Sequence, residues 1–233
     1  LSEEDFEPAP SKQSMGYRLH KRYPRFSERG RYKNLVYETD NCFDARLLMV
    51  PDGSRLRGYF QSWRYVDGVA EVLRNQVRSV SLPSASFLSR RSDLRGLRDW
   101  VGIHVRLGDY RGLPHMFLPE AYFRSALVRL DAWDRDRKIV VFSDSPAEAR
   151  KMPIWTRFEN VLFMDRSGLS PVETLLLMSE APWLVMANST FSWWAGFIGD
   201  EPARPVVFPE PWSLRGSPNK DLTPPHWISV SSA

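Results

Sequence analysis

The chain has 233 residues, 42% hydrophobic and 26% charged, the balance of a globular protein with room for one large domain or two small ones. A net charge of +4 fits an arginine-rich solvated surface, or an anionic ligand such as a nucleotide. The single cysteine, Cys42, excludes an intrachain disulfide and a C-x-x-C zinc site. LSEEDFEPAP is acidic and proline-rich, so it is no secretory signal, and no apolar run approaches the ~18 residues of a membrane span.

Residues 1–30 are turn-rich and basic and read as peripheral. Leu56–Gln61 reads as a strand or loop. An amphipathic helix follows, with Val66, Val69, Val72 and Leu73 on one face. Residues 81–99, rich in Ser and Arg, read as a linker with room for one short helix. From Trp100 the pattern sharpens. WVGIHVR is a strand, and LPEAYFRSALVRLDAW is a helix opened by Pro119 and Glu120, with Tyr122, Ala126, Leu127 and Leu130 on one side. KIVVFSD is a strand, and SPAEARKM is a short helix capped by Ser145. NVLFMD is a strand, and SPVETLLLMSEA is a helix with a Ser170–Glu173 capping box. PWLVMAN is a strand, STFSWWAGFIG is a helix, and PVVFPEPW is a last strand. Strand and helix alternate, and the strands are continuous apolar runs. That predicts an α/β fold, a parallel sheet covered by helices on both faces.

In such sheets ligands bind at the carboxyl ends of the strands. Three polar clusters fall there: HVRLGDY, FSDSP and NSTFS. His104 and Arg106 share one side of their strand, and Gly108 permits a sharp turn. The Arg106 fork matches phosphate oxygens. Asp109 either orients its neighbours or accepts a proton from a substrate hydroxyl, unless the cluster is simply a structural Arg–Asp pair beside a satisfied histidine. Asp144 either binds a base edge or ribose, or caps the next helix. Asn188, Ser189 and Thr190, with the free N–H groups of a helix start, form an anion site. Trp193 and Trp194 then carry that helix into the core. No Walker loop and no zinc ligand pair is present. The arginines of SRRSDLRGLR do not interleave with aromatics, so no nucleic-acid partner is expected.

HVRLGDY, FSDS and NSTFSWWAG in this order, with GYFQSWRY (58–65) upstream, resemble the motifs of the α-1,2-fucosyltransferase family over about residues 34–212. The family's first two motifs are His-x-Arg-Arg-x-Asp-Tyr and Phe-Ser-Asp-Asp, so Leu107 stands in place of a second Arg and Ser145 in place of a second Asp. A Gly-rich segment of the Gly-Arg-Leu-Gly-Asn-Gln type is not found.

The resemblance implies a GT-B-like architecture of Rossmann-type halves with the N-terminal half incomplete. Residues 1–80 would be a partial acceptor-side region, 81–99 a linker, and 100–233 the GDP-fucose-binding domain. It implies fucosyl transfer from GDP-fucose to a hydroxyl, O2 of a terminal galactose, with inversion and without a metal or other cofactor. A non-catalytic nucleotide-sugar or glycan-binding remnant is the alternative. Arg106, Asp109 and His104 would be catalytic. His104, Arg106, Asp144, Asn188, Ser189, Thr190 and Ser192 would bind the donor. A bacterial enzyme would be cytoplasmic or peripheral to the inner membrane. One with an anchor upstream of Leu1 would belong to the Golgi membrane.

Overall fold

The computed structural model describes residues 35–38, 42–79, 83–97, 99–214 and 219–232. The stretch read as peripheral, 1–30, lies outside them. The chain divides into two compact units, Leu1–Gln61 and Ser62–Ala233. In the first, β1 (Leu35–Tyr37) pairs in parallel with β2 (Arg55–Arg57), with a 3-10 turn over Ala45–Met49 between them. Beyond β2, Glu38 Oε2 accepts from the Tyr59 and Phe60 amides at 2.8 and 2.9 Å. A Cβ on Gly58 would stand 2.6 Å from that same oxygen, so this turn requires glycine.

The second unit opens with α1 (Arg64–Asp67), α2 (Ala70–Ser79) and α3 (Ala85–Gly96). Six strands follow: β3 (Val101–Val105), β4 (Ile139–Ser143), β5 (Val161–Phe163), β6 (Trp183–Val185), β7 (Val206–Glu210) and β8 (Ile228–Ser231). The helices between them are α4 (Glu120–Arg129), α5 (Pro146–Ala149), α6 (Pro171–Ser179) and α7 (Thr190–Ile198). The sheet order is β5-β4-β3-β6-β7-β8, and every neighbouring pair is parallel. The first three strands run outward one way and the last three the other, as in a Rossmann-type fold. The order reverses between β3 and β6, which places a crevice at their carboxyl ends.

Both faces of the sheet are buried. Ile103, Ile139 and Val141 pack with Tyr122, Ala126 and Leu127 of α4. Val140, Phe142, Leu184 and Met186 pack on the other face with Phe87 of α3, Met178 of α6 and Trp193 of α7. Alternation of side chains along β4 sends neighbours to opposite faces, so its continuous apolar run serves two cores.

The helix starts follow their sequence signals. Ser170 accepts from the Glu173 amide at 3.2 Å, and Glu173 accepts from the Ser170 amide at 2.7 Å, the reciprocal capping box. Glu173 Oε1 also accepts from the Ser84 amide at 2.8 Å, so one carboxylate joins the starts of α3 and α6. These backbone donors hold its pKa down to about 2. Ser145 stands at the cap position of α5, but its side chain makes no cap bond.

Four readings differ from the structure. Residues 81–99, read as a linker with room for one short helix, hold the 12-residue α3, capped by Ser84 and packed into the core by Phe87 and Leu94. The division between units falls after Gln61 rather than near residue 80. The expected apolar face at 66–73 is interrupted at Gly68, and Val69 and Val72 are exposed. β8 is an additional strand beyond the one expected to be last. No helix among the described residues is long and apolar enough to cross a membrane.

At its far end, α7 is gripped by arginines. Arg204 donates to Gly196 O at 3.1 Å and to Ala181 O at 2.7 Å. Arg74 donates to Phe197 O at 3.0 Å and Arg78 to Ile198 O at 3.1 Å. Cations on the last carbonyls satisfy orphan acceptors and oppose the negative pole of the helix.

Candidate active site

The turn after β3 is organised by a carboxylate on the neighbouring strand. Asp144 follows β4, and its two oxygens accept from the Leu107 amide at 2.9 Å and the Gly108 amide at 3.0 Å. A Cβ on Gly108 would lie 2.6 Å from Asp144 Oδ2, so the close approach depends on glycine. Arg106 Nε is 3.2 Å from Asp144 Oδ2 and donates to Asp109 Oδ1 at 3.0 Å. Burial works against the Arg106 charge, and the two carboxylates more than offset it. Only Nε is engaged. The outer edge of the fork has no hydrogen-bond partner among the described residues, and its side chain is 32% exposed. Asp144 is therefore the hub of the turn and not a helix cap. Asp109, 60% exposed, orients Arg106.

His104 is 3% exposed and lies 5.8 Å from the Phe191 ring, centroid to centroid. Burial lowers its pKa to about 4; Asp144 works against that shift, and Arg106 and Arg166 add to it. The imidazole is neutral at neutral pH, and its buried Nδ1 has no partner. As a neutral imidazole, His104 can take part in the site as a hydrogen-bonding group.

The corner at 188–192 is built differently from the expectation. Asn188 is 2% exposed and donates both Nδ2 hydrogens inward, to Met116 O at 2.9 Å and Trp212 O at 3.0 Å. Tyr110 donates to Asn188 O at 2.8 Å. Ser189 accepts from the Phe191 amide at 3.3 Å. Ser192 donates within the corner, with Ala187 O at 3.0 Å and Ser189 O at 3.1 Å. These three side chains fasten the β6–α7 corner and the loop after β3, whereas Thr190 is exposed. Trp193 is buried, donates to Leu222 O at 2.8 Å and stacks on Phe197. Trp194 meets both rings edge-on. Both tryptophans serve the core.

His104, Arg106, Asp144 and Ser143 share a cavity of about 200 Å³ with Phe142, Pro171, Thr174, Met178, Phe191 and Arg166. Apolar walls with a few polar groups suit a flat ligand, and two guanidinium groups favour an anionic one. Arg166, just past β5, joins the site although the sequence pattern does not single it out. A larger cavity, about 800 Å³, lies by the amino-terminal ends of β6 and β7. It is away from the crevice, and its Arg78 and Arg204 are committed to the carbonyls of α7 and Ala181. Among the described residues no cluster of three or more His, Cys, Asp or Glu can hold a metal ion.

Fold and site together describe a Rossmann-type domain with a cationic cavity beside its switch point. The sequence model of Glycosyl transferase family 11 matches residues 31–229, and the chain belongs to that family. It is 27% identical over 181 residues to an alpha-1,2-colitosyltransferase of Escherichia coli, a match that covers 74% of this chain and 61% of the relative. It is 27% identical over 222 residues to galactoside alpha-(1,2)-fucosyltransferase 2 of Sus scrofa, covering 84% and 62%. The chain thus spans about three fifths of the length of these curated relatives. Among solved structures, the ADP-heptose LPS heptosyltransferase II of E. coli aligns with a TM-score of 0.41 and 12% identity, covering 64% of this chain and 44% of that one.

Proposed function

We propose that this chain carries the donor side of a GT-B-type transferase that moves L-fucose from GDP-fucose to a hydroxyl of a glycan, O2 of a terminal galactose. The observation that carries the reading is Arg106: a guanidinium oriented by two carboxylates, with its outer edge free, beside the cavity at the switch point. The family membership and the names of the relatives support α-1,2 transfer of a deoxy sugar.

In this reading an acceptor hydroxyl attacks the anomeric carbon from the face opposite the diphosphate. The bond from that carbon to the phosphate oxygen breaks, GDP leaves with the electron pair, and the configuration inverts. Arg106 and the remaining first-turn N–H groups of α7 stabilise the charge that develops on the diphosphate, without calling on a metal. Asp109 keeps Arg106 in register and stands exposed at the rim, where its second oxygen can accept the acceptor's proton. Phe191 and His104 pack against the base.

The test is release of GDP from GDP-fucose with a β-galactoside acceptor, together with calorimetry of GDP binding. Arg106→Ala should lower turnover by about 10²- to 10³-fold, the cost of removing one preorganised charge-stabilising group. Unchanged turnover in that variant sinks the assignment of Arg106. Binding of GDP without any turnover favours the remnant reading, and no binding of GDP rejects both.

A further inference from the structure

We propose that Arg166, carried on the turn that follows β5, is a second diphosphate-binding guanidinium of this site. The inference rests on the donor reading above.

Two arginines line the same small cavity, but they are not equivalent. Arg106 is compensated by Asp109 and Asp144. Arg166 is exposed, and its side chain has no hydrogen bond or ion pair among the described residues. Arg106 has its Nε edge committed to carboxylates, whereas Arg166, on the lining of the same cavity, keeps its whole fork of donors free, and the bridging and terminal oxygens of a diphosphate match such a fork.

The backbone that carries Arg166 is fixed on both sides. Asp165 pairs with Arg90 of α3 at 2.9 Å and accepts from the Ser167 amide at 2.9 Å. Arg166 O accepts from the Leu169 amide at 3.0 Å. Gly168 turns the chain at φ +74°, where a Cβ would meet Ser86 Oγ at 2.6 Å. The turn is therefore built, and only the arginine side chain is left without a partner. Position 107 cannot do the same work. Leu107 is partly buried and packs against the core beneath β3, while its amide is held by Asp144.

The phosphates, rather than the base, are the partner because Arg166 is solvent-exposed where it lines the cavity. The deeper walls are His104, Phe142 and Met178.

The experiment is calorimetry of the full chain with GDP and with guanosine, for wild type, Arg166→Ala, Arg166→Lys and Arg90→Ala. Loss of a charge-assisted contact predicts about 10- to 100-fold weaker GDP binding by Arg166→Ala, with guanosine affinity unchanged and a shallower salt dependence. Arg166→Lys should fall between, and Arg90→Ala should weaken GDP through the loosened turn, with no further loss when combined with Arg166→Ala. GDP affinity within twofold of wild type overturns the proposal, as does an equal loss for GDP and guanosine. A wild-type chain that binds neither ligand overturns the donor reading itself, a result distinct from a wild type that binds and a variant that binds equally well.

Discussion

A buried histidine that stays neutral makes a measurable demand on stability. His104 titrates near pH 4 in the folded chain and near 6.5 when unfolded. Between those values the unfolded chain binds the extra proton, so stability rises with pH, is complete above about 6.5 and is lost as pH falls toward 4. The full effect is of order 3 kcal/mol. Chemical unfolding of wild type and His104→Gln across this window should show a steep limb that flattens in the variant; parallel limbs would mean that His104 is not the group responsible. At this scale the sequence was only half legible. The types and positions of Arg106, Asp109 and Asp144 were readable from strand ends. The inward turn of Asn188 and Ser192 was not, because their partners are carbonyls distant in sequence, such as Met116 O and Trp212 O, or carbonyls of the folded corner, such as Ala187 O; Ser189 is spent on the Phe191 amide. Arg166 was unreadable for a related reason: an exposed arginine after a strand has no local signature until the cavity that it lines exists.

Among the elements, Glu173 and Arg204 hold the helices that carry the site. Replacing Glu173 with Gln removes an ionised acceptor shared by the Ser84 and Ser170 amides. The melting temperature should fall, and the acid limb that wild type shows as pH drops from about 4.5 to about 2 should disappear, because that carboxylate's depressed pKa supplies stability only while it is ionised. Arg204→Met leaves Gly196 O and Ala181 O to find water. A cost of about 1–3 kcal/mol is expected in denaturant melts, with GDP affinity lowered through the loosened α7. Burial holds the Arg204 pKa down to about 10, so this cap stays charged through the neutral range. Element types were legible wherever apolar runs and caps coincided, as at β4 and α6. They were lost at α3, where Phe87 and Leu94 are buried seven residues apart among Ser and Arg, and at β8, whose half-exposed Ile-Ser-Val-Ser carries no continuous apolar run.

For the molecule as a whole, the order of the strands decides where chemistry collects. Alternating elements announced a parallel sheet, but only pairing shows that β3 and β6 are neighbours and that the crevice opens between them. Every residue lining the cavity that holds His104, Arg106 and Arg166 belongs to the unit Ser62–Ala233. A shortened chain beginning at Ser62 should fold and bind GDP within about threefold of the full chain, since less than 1 kcal/mol would separate them; calorimetry of the two checks it, and loss of binding would show that Leu1–Gln61 is needed. A cavity walled by a single unit behaves as an interchangeable part. If the proposed donor role holds, sequence change outside this unit could redirect the acceptor hydroxyl while the grip on the sugar nucleotide stayed as it was.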